Sequence, residues 1–151
     1  GPLIAEVAEQ LCPLAQRRGL YLKVEEADVV ALADPLRVRQ ILFNIAGNAL
    51  KFTETGGITI RSGVAADDVW VEVEDTGVGI APEDMALVFE RFGQLDASDA
   101  RHHGGAGLGL AISRDLAEMQ GGSLEVESER GRGSIFRLRL KARQPVALAA
   151  E

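Results

Sequence analysis

The chain is predicted to adopt an α+β fold, a two-layer α/β sandwich with a mixed sheet packed against helices. Three observations carry that expectation. Apolar residues at helical spacing are interleaved with short runs that alternate with a period of two. The alternating runs come in hairpin-like pairs and not in regular strand-helix-strand order, which argues against a doubly wound parallel sheet. A chain of 151 residues, 46% of them hydrophobic, can bury one core without disulfides or a structural metal.

Each element has its own signal. Over 3–18, Leu3, Val7, Leu11 and Leu14 recur at helical spacing, and Gly19 stands where a helix C-terminus favours glycine. Leu20, Leu22 and Val24 alternate with Tyr21, Lys23 and Glu25 as a strand, and 29–33 reads as a second short one. Asp34-Pro35 supplies an N-cap followed by proline at the first helical position, and Val38, Ile41, Leu42, Ile45, Ala49 and Leu50 form a long apolar stripe behind it. Thr55-Gly56-Gly57 is a turn, after which Ile58 and Ile60, then Val69, Val71 and Val73, mark two strands joined near Ala66-Asp67-Asp68. A short helix is expected over 82–88, and 93–106 lacks periodicity and reads as a mobile loop. An amphipathic helix over 108–119 stops at Gly121-Gly122, and strands at 124–126 and 135–140 flank Gly131-Arg132-Gly133. The domain is placed at 1–141, with 142–151 as the start of a linker.

Composition narrows the function. The formal net charge of -7 argues against generic binding to nucleic acid or a membrane surface. The lone Cys12 cannot form an internal disulfide and reads as a small buried hydrophobe; with no second thiol there is no zinc-ligand pattern. No apolar stretch approaches the roughly 20 residues that span a bilayer, so a cytoplasmic domain is expected.

Three polar and glycine-rich clusters carry the chemistry: Asn44 to Phe52, Asp75 to Ile80, and Gly105 to Leu110. In the first, Gln40, Asn44, Asn48 and Lys51 fall on one helical face beside the apolar stripe. Amide oxygens and a lysine there suit a hard cation and the phosphates that it neutralises. A single asparagine would read as part of a solvated face, but two at this spacing with Lys51 favour a ligand. In the second, Asp75 stands where a strand runs out into a glycine loop. A buried carboxylate there can accept from an exocyclic amine such as that of adenine, and Gly77 and Gly79 leave room for a flat ring. A plain strand-to-loop turn fits that fragment equally well. In the third, alternating glycines precede a helix, so that backbone N–H groups face an anion site. The pattern is neither the dinucleotide fingerprint nor a Gly-Lys-Ser/Thr phosphate loop.

Taken together, these residues resemble the catalytic, ATP-binding domain of sensor histidine kinases, within the GHKL superfamily that also holds gyrase and the heat-shock chaperone ATPases. Asp34-Pro35-x-Arg37-x-x-Gln40 through Phe52 is similar to that family's N box, Asp75-x-Gly77-x-Gly79-Ile80 to its G1 box, Phe89-x-x-Phe92 to its F box, and Gly105-x-Gly107-Leu108-Gly109-Leu110 to its G2 box. Gly131-x-Gly133-Ser134-x-Phe136 is similar to its closing strand. The likeness runs from about Leu3 to Leu140.

The resemblance implies roles for particular residues. Asn48 would be the main Mg2+ ligand with Asn44 beside it, Lys51 would reach the phosphates, and Asp75 would bind the adenine amine. Gly77, Gly79 and Ile80 would line the base. Gly105, Gly107, Leu108 and Gly109 would end a lid spanning 93–106, anchored by Phe89 and Phe92, although two phenylalanines at that spacing are by themselves usually core. Arg101, or His102 or His103, would neutralise charge on the transferring phosphoryl group. Hydrolysing relatives carry a glutamate where this chain has Asn44, which cannot accept a proton at neutral pH, so the resemblance implies phosphoryl transfer rather than efficient hydrolysis. The implied partners are a histidine-containing dimerisation domain of the same protein and a downstream response regulator receiver domain, with no nucleic acid and no direct membrane contact. Two other readings stand beside it: a degenerate nucleotide-binding signalling module, and an anti-sigma-type serine kinase. One departure is Ala106, where the family usually has threonine or serine; losing that hydroxyl removes a hydrogen bond worth about 1 kcal/mol.

Overall fold

Three helices lie on one face of a five-stranded sheet in the computed structural model, which describes residues 2–25, 33–65, 67–80 and 106–141. The elements are α1 (Pro2–Arg17), β1 (Tyr21–Glu25), α2 (Pro35–Phe52), β2 (Gly57–Ala65), β3 (Asp68–Asp75), α3 (Ala106–Met119), β4 (Ser123–Glu129) and β5 (Gly133–Lys141). The strand order is β1-β2-β3-β5-β4; β1 runs parallel to β2 and every other pairing is antiparallel. This is the expected two-layer α+β sandwich with a mixed sheet.

Period-two alternation explains why one face of the sheet is covered. In β3, Val69, Val71, Val73 and Asp75 are buried while Trp70, Glu72 and Glu74 face the other way. On the inner face Ile58, Ile60, Val71, Val73, Phe136, Leu138 and Leu140 meet Ile41, Leu42, Ile45 and Leu50 of α2 and Leu116 of α3 in one core. The outer face is tiled with ion pairs centred on Arg137, which bonds Glu72 at 2.6 Å and Glu127 at 2.8 Å, and on Arg61, which bonds Glu74 at 2.6 Å. Because β3 is the middle strand, its C-terminal residue Asp75 is flanked on both sides, by Ile58 and by Ser134.

The helix α2 is held at both ends. Asp34 has extended backbone angles and its carboxylate accepts from Leu36 N at 3.0 Å, as an N-cap should. Its own N–H donates to Gln120 Oε1 at 2.7 Å, tying the start of α2 to the end of α3. At the other end Arg18 donates to the carbonyls of Lys51 (3.3 Å) and Thr53 (3.1 Å), which the helix leaves unpaired. Asp34→Ala is expected to lower stability by about 1 kcal/mol, read as a lower urea midpoint with an unchanged m-value.

Several boundaries differ from the sequence reading. The last helix begins at Ala106, two residues before its expected start, so Gly107 and Gly109 lie in its first turn instead of preceding it. Glycine is a poor helix former, so propensity placed the start at Leu108, while packing of α3 against α2 and β4 overrides it. Both strands of the last hairpin are longer than expected, since polar residues of β4 fill the outer face without breaking the ladder. Val24 is exposed at the sheet edge, and Cys12 is only half-buried. Ala33 sits in a bend and not in a strand. The rest of the expected strand at 29–33, the helix at 82–88, the loop at 93–105 and the linker at 142–151 lie outside the described residues.

Candidate functional site

Asp75 is the one buried carboxylate among the described residues, 7% exposed, and the fold explains how it is held there. Its Oδ1 accepts two main-chain hydrogen bonds, from Gly77 N at 2.8 Å and Ser134 N at 3.2 Å. Burial pushes its carboxyl above the ordinary 3.8, and these two N–H groups oppose the shift only in part. Both bonds fall on one oxygen, so Oδ2 has no hydrogen-bond partner among the described residues. A buried carboxylate with one oxygen fixed and the other uncommitted is an acceptor for a ligand donor.

The loop after Asp75 is clamped between α2 and the β4–β5 hairpin. Thr76 Oγ1 donates to Thr55 O at 2.8 Å and accepts from Gly57 N at 3.0 Å. A side chain at Gly77 would crowd Phe52 O and Thr53 Oγ1 at the end of α2. Gly79 has φ of +74°, and a side chain there would overlap the backbone of Glu129. The sequence reading gave these glycines the task of leaving room for a flat ring; on the side where each lacks a Cβ, the structure shows protein backbone. The hairpin adds two bonds, Gly131 N to Val78 O at 2.7 Å and Ile80 N to Ser128 Oγ at 2.7 Å.

The first cluster meets the second where α2 ends against Gly77. Along α2, Asn44 and Asn48 are half-buried one turn apart, while Gln40 and Lys51 are exposed. Asn44 Nδ2 donates to Ser113 Oγ on α3 at 3.2 Å, and Ser113 is fully buried. With its nitrogen occupied, Asn44 keeps its amide oxygen for another partner. Among the described residues no group of three His, Cys, Asp or Glu side chains could hold a metal, so a cation here would take amide and phosphate oxygens. That donor set suits Mg2+, which keeps several waters and binds mainly through phosphates.

The third cluster is reached through the same contact. Ser113 lies about one turn along α3 from Gly109 and less than two from Gly107, in a helix whose first-turn main-chain N–H groups at Ala106, Gly107 and Leu108 have no intrahelical acceptor. Phe89, Phe92, Arg101, His102, His103 and Gly105 lie outside the described residues, as does the 93–105 part of the expected lid. Ser113 and Ser128, which hold candidate residues in place, have no signal in the sequence, and Ser134 stands there only within the closing-strand motif. A lone serine in a helix or strand carries no local signal, and each finds its partner through the tertiary fold.

Comparison with known proteins identifies the family and the fold. Residues 33–144 match the family model described as histidine kinase-, DNA gyrase B- and HSP90-like ATPase. The circadian input-output histidine kinase CikA of Synechococcus elongatus is 47% identical over 118 residues, 78% of this chain and 16% of that protein. The signal transduction histidine-protein kinase BarA of Escherichia coli is 41% identical over 139 residues, 87% of this chain and 15% of that protein. The chain therefore spans about one sixth of the length of such relatives. Among solved structures, full-length ShkA in complex with AMPPNP superposes with a TM-score of 0.83 at 38% identity, over 95% of this chain and 30% of that one. The nucleotide-free catalytic domain of histidine kinase ThkA superposes with a TM-score of 0.81 at 28% identity, over 93% of this chain and 91% of that one. The family match over most of the chain, the sensor histidine kinases among its relatives and the fold shared with their catalytic domains place the chain in the histidine kinase-, DNA gyrase B- and HSP90-like ATPase family, as a catalytic domain of the sensor histidine kinase type.

Proposed function

We propose that this domain binds Mg-ATP and delivers the γ-phosphoryl group to a histidine on a separate helical dimerisation domain, from which it passes to a response regulator receiver domain. The observation that carries this reading is Asp75, a buried carboxylate whose Oδ1 is held by two main-chain N–H groups while Oδ2 has no hydrogen-bond partner among the described residues. Oδ2 accepts from the exocyclic amine of adenine, and Gly77 to Ile80 lie along the base.

At the phosphate end, Asn48 and the amide oxygen of Asn44 would hold Mg2+, which when bound would neutralise the negative charge on the phosphate oxygens. Lys51 and the unpaired first-turn N–H groups of α3 at Gly107 and Leu108, with Gly105 before them and the side-chain-free Gly109 in the same turn leaving room, bind the same oxygens. Arg101 adds a cationic contact to the transferring group. The side chain at position 44 is an amide and not a carboxylate that could deprotonate a water, so the domain positions the phosphoryl donor and leaves the nucleophile to its partner.

Titration calorimetry with Mg-ADP at about 100 µM protein, the regime that detects weak binding, should give measurable heat, and its absence would remove the proposal. Label from γ-labelled ATP should then appear in an added histidine-containing dimerisation domain. Binding without transfer to any acceptor would favour a degenerate signalling module instead.

A further inference from the structure

Ser128, on β4 opposite Ser134 of β5, is the polar side chain that closes the loop 76–80 into a ring. Its Oγ accepts from Ile80 N at 2.7 Å, donates to Gly133 O at 3.0 Å and lies 2.8 Å from Ser134 Oγ. A hydroxyl has one proton and two lone pairs. With the proton of Ser128 on Gly133 O, the Ser134 hydroxyl is the donor in the serine pair, and Ser128 is satisfied at all three positions. The Ser134 main-chain N–H in turn donates to Asp75 Oδ1 at 3.2 Å. The path from Asp75 through Ser134 and Ser128 to Ile80 returns along the chain to Asp75, and everything between Thr76 and Gly79 is enclosed by it.

We infer that Ser128 is a positioning residue for nucleotide selection: by pinning Ile80 to the β4–β5 hairpin it sets the distance between the loop and Asp75 Oδ2, and so the preference for a 6-amino purine. The inference rests on the adenine role proposed for Asp75. The contacts of Ser128 are with Ile80, Gly133 and Ser134, so its effect on the base is through the loop. Two further features make its bond the one that decides the position of the loop end. Gly131 N to Val78 O, at 2.7 Å, fixes the middle of the segment, and Thr76 fixes its start, but among the described residues only Ser128 holds the Ile80 N–H. Removing the hydroxyl frees that N–H and also unpairs the Ser134 hydroxyl, so Ile80 and the floor beneath Asp75 loosen together.

The test compares Mg-ATP and Mg-GTP binding to the domain by competition with a fluorescent ADP analogue. Ser128→Ala should weaken ATP binding by about 3–10-fold, a hydrogen bond's worth, while GTP binding changes less, so the preference narrows. Ser128→Thr, which keeps the hydroxyl, should restore the wild-type preference. Equal losses for both nucleotides would show a purely structural role and overturn the inference, as would ATP affinity within twofold of wild type. Asp75→Asn is run in parallel: if that change leaves the preference untouched, the adenine reading itself fails and the inference falls with it. Should Ser128→Ala not fold, amide exchange of the wild type decides the matter. The Ile80 N–H should be protected in the nucleotide-free domain, and exchange at the rate of an unstructured peptide would overturn the inference.

Discussion

Asp75→Asn is expected to cost the domain about 10–100-fold in ATP affinity, with the preference over GTP lost, while the nucleotide-free domain keeps or gains stability. The geometry sets the direction of both effects. Oδ1 accepts from Gly77 N and Ser134 N, so the amide oxygen of the variant must take that position and the NH2 group must take the place of Oδ2. An acceptor aimed at the adenine amine becomes a donor, and losing a hydrogen bond to a charged group costs on the order of the 1.5–3 kcal/mol that such bonds contribute. Competition binding with ATP and GTP reads the result, and an unchanged preference would remove the adenine role.

Stability moves the other way because burial opposes ionisation. The folded carboxyl titrates above its ordinary 3.8, chiefly through desolvation, so the folded state holds its proton more tightly than the unfolded chain. The contribution of Asp75 is therefore most favourable below that ordinary value and is lost as pH rises through the raised folded value. The asparagine variant does not titrate and escapes this loss. Urea unfolding of the two proteins between pH 3 and pH 7 should show the difference growing in favour of Asp75→Asn as pH rises; a difference that shrinks would mean that the two N–H bonds outweigh burial. A site that costs stability in the absence of ligand is the expected signature of function.

Asn48→Ala is expected to abolish the Mg2+ dependence of nucleotide binding. Loss of an outer partner of a metal ligand typically costs about 10–100-fold, which is a lower bound for removal of the ligand itself. The half-buried Asn48 sits one turn beyond Asn44 on the same helix face, and alanine is a better helix former, so α2 should remain intact. Titration of ADP with and without Mg2+ separates the outcomes: the metal-free affinity should match wild type while the gain on adding Mg2+ disappears. Retention of that gain would assign the cation to other ligands.

Much of this site is legible in the chain because its parts sit on strongly patterned elements. The stripe from Val38 to Leu50 and the Asp34-Pro35 start put α2 in place, and with it the common face of Asn44, Asn48 and Lys51. The run Val69, Val71, Val73 ends at Asp75, so a carboxylate at a strand terminus can be read directly. The start of α3 is less legible, because Gly107 and Gly109 have poor helix propensity and are carried into the first turn by packing. The contacts that orient the site are absent from any local pattern. Asn44 meets Ser113 across 69 positions, Asp75 meets Ser134 across 59, and Ile80 meets Ser128 across 48.

The amino-acid sequence alone determined the fold class, the three clusters and their likeness to histidine kinase catalytic domains, because hydrophobic periodicity, caps and glycine spacing are local properties of the chain. Only the tertiary structure decided that Asp75 shares its face with the core, that one of its oxygens is occupied while the other has no partner among the described residues, and that the glycines after it pack on the backbone of α2 and of the β4–β5 hairpin. Those properties depend on strand order and on side chains meeting across the sheet, and no window of sequence contains both partners.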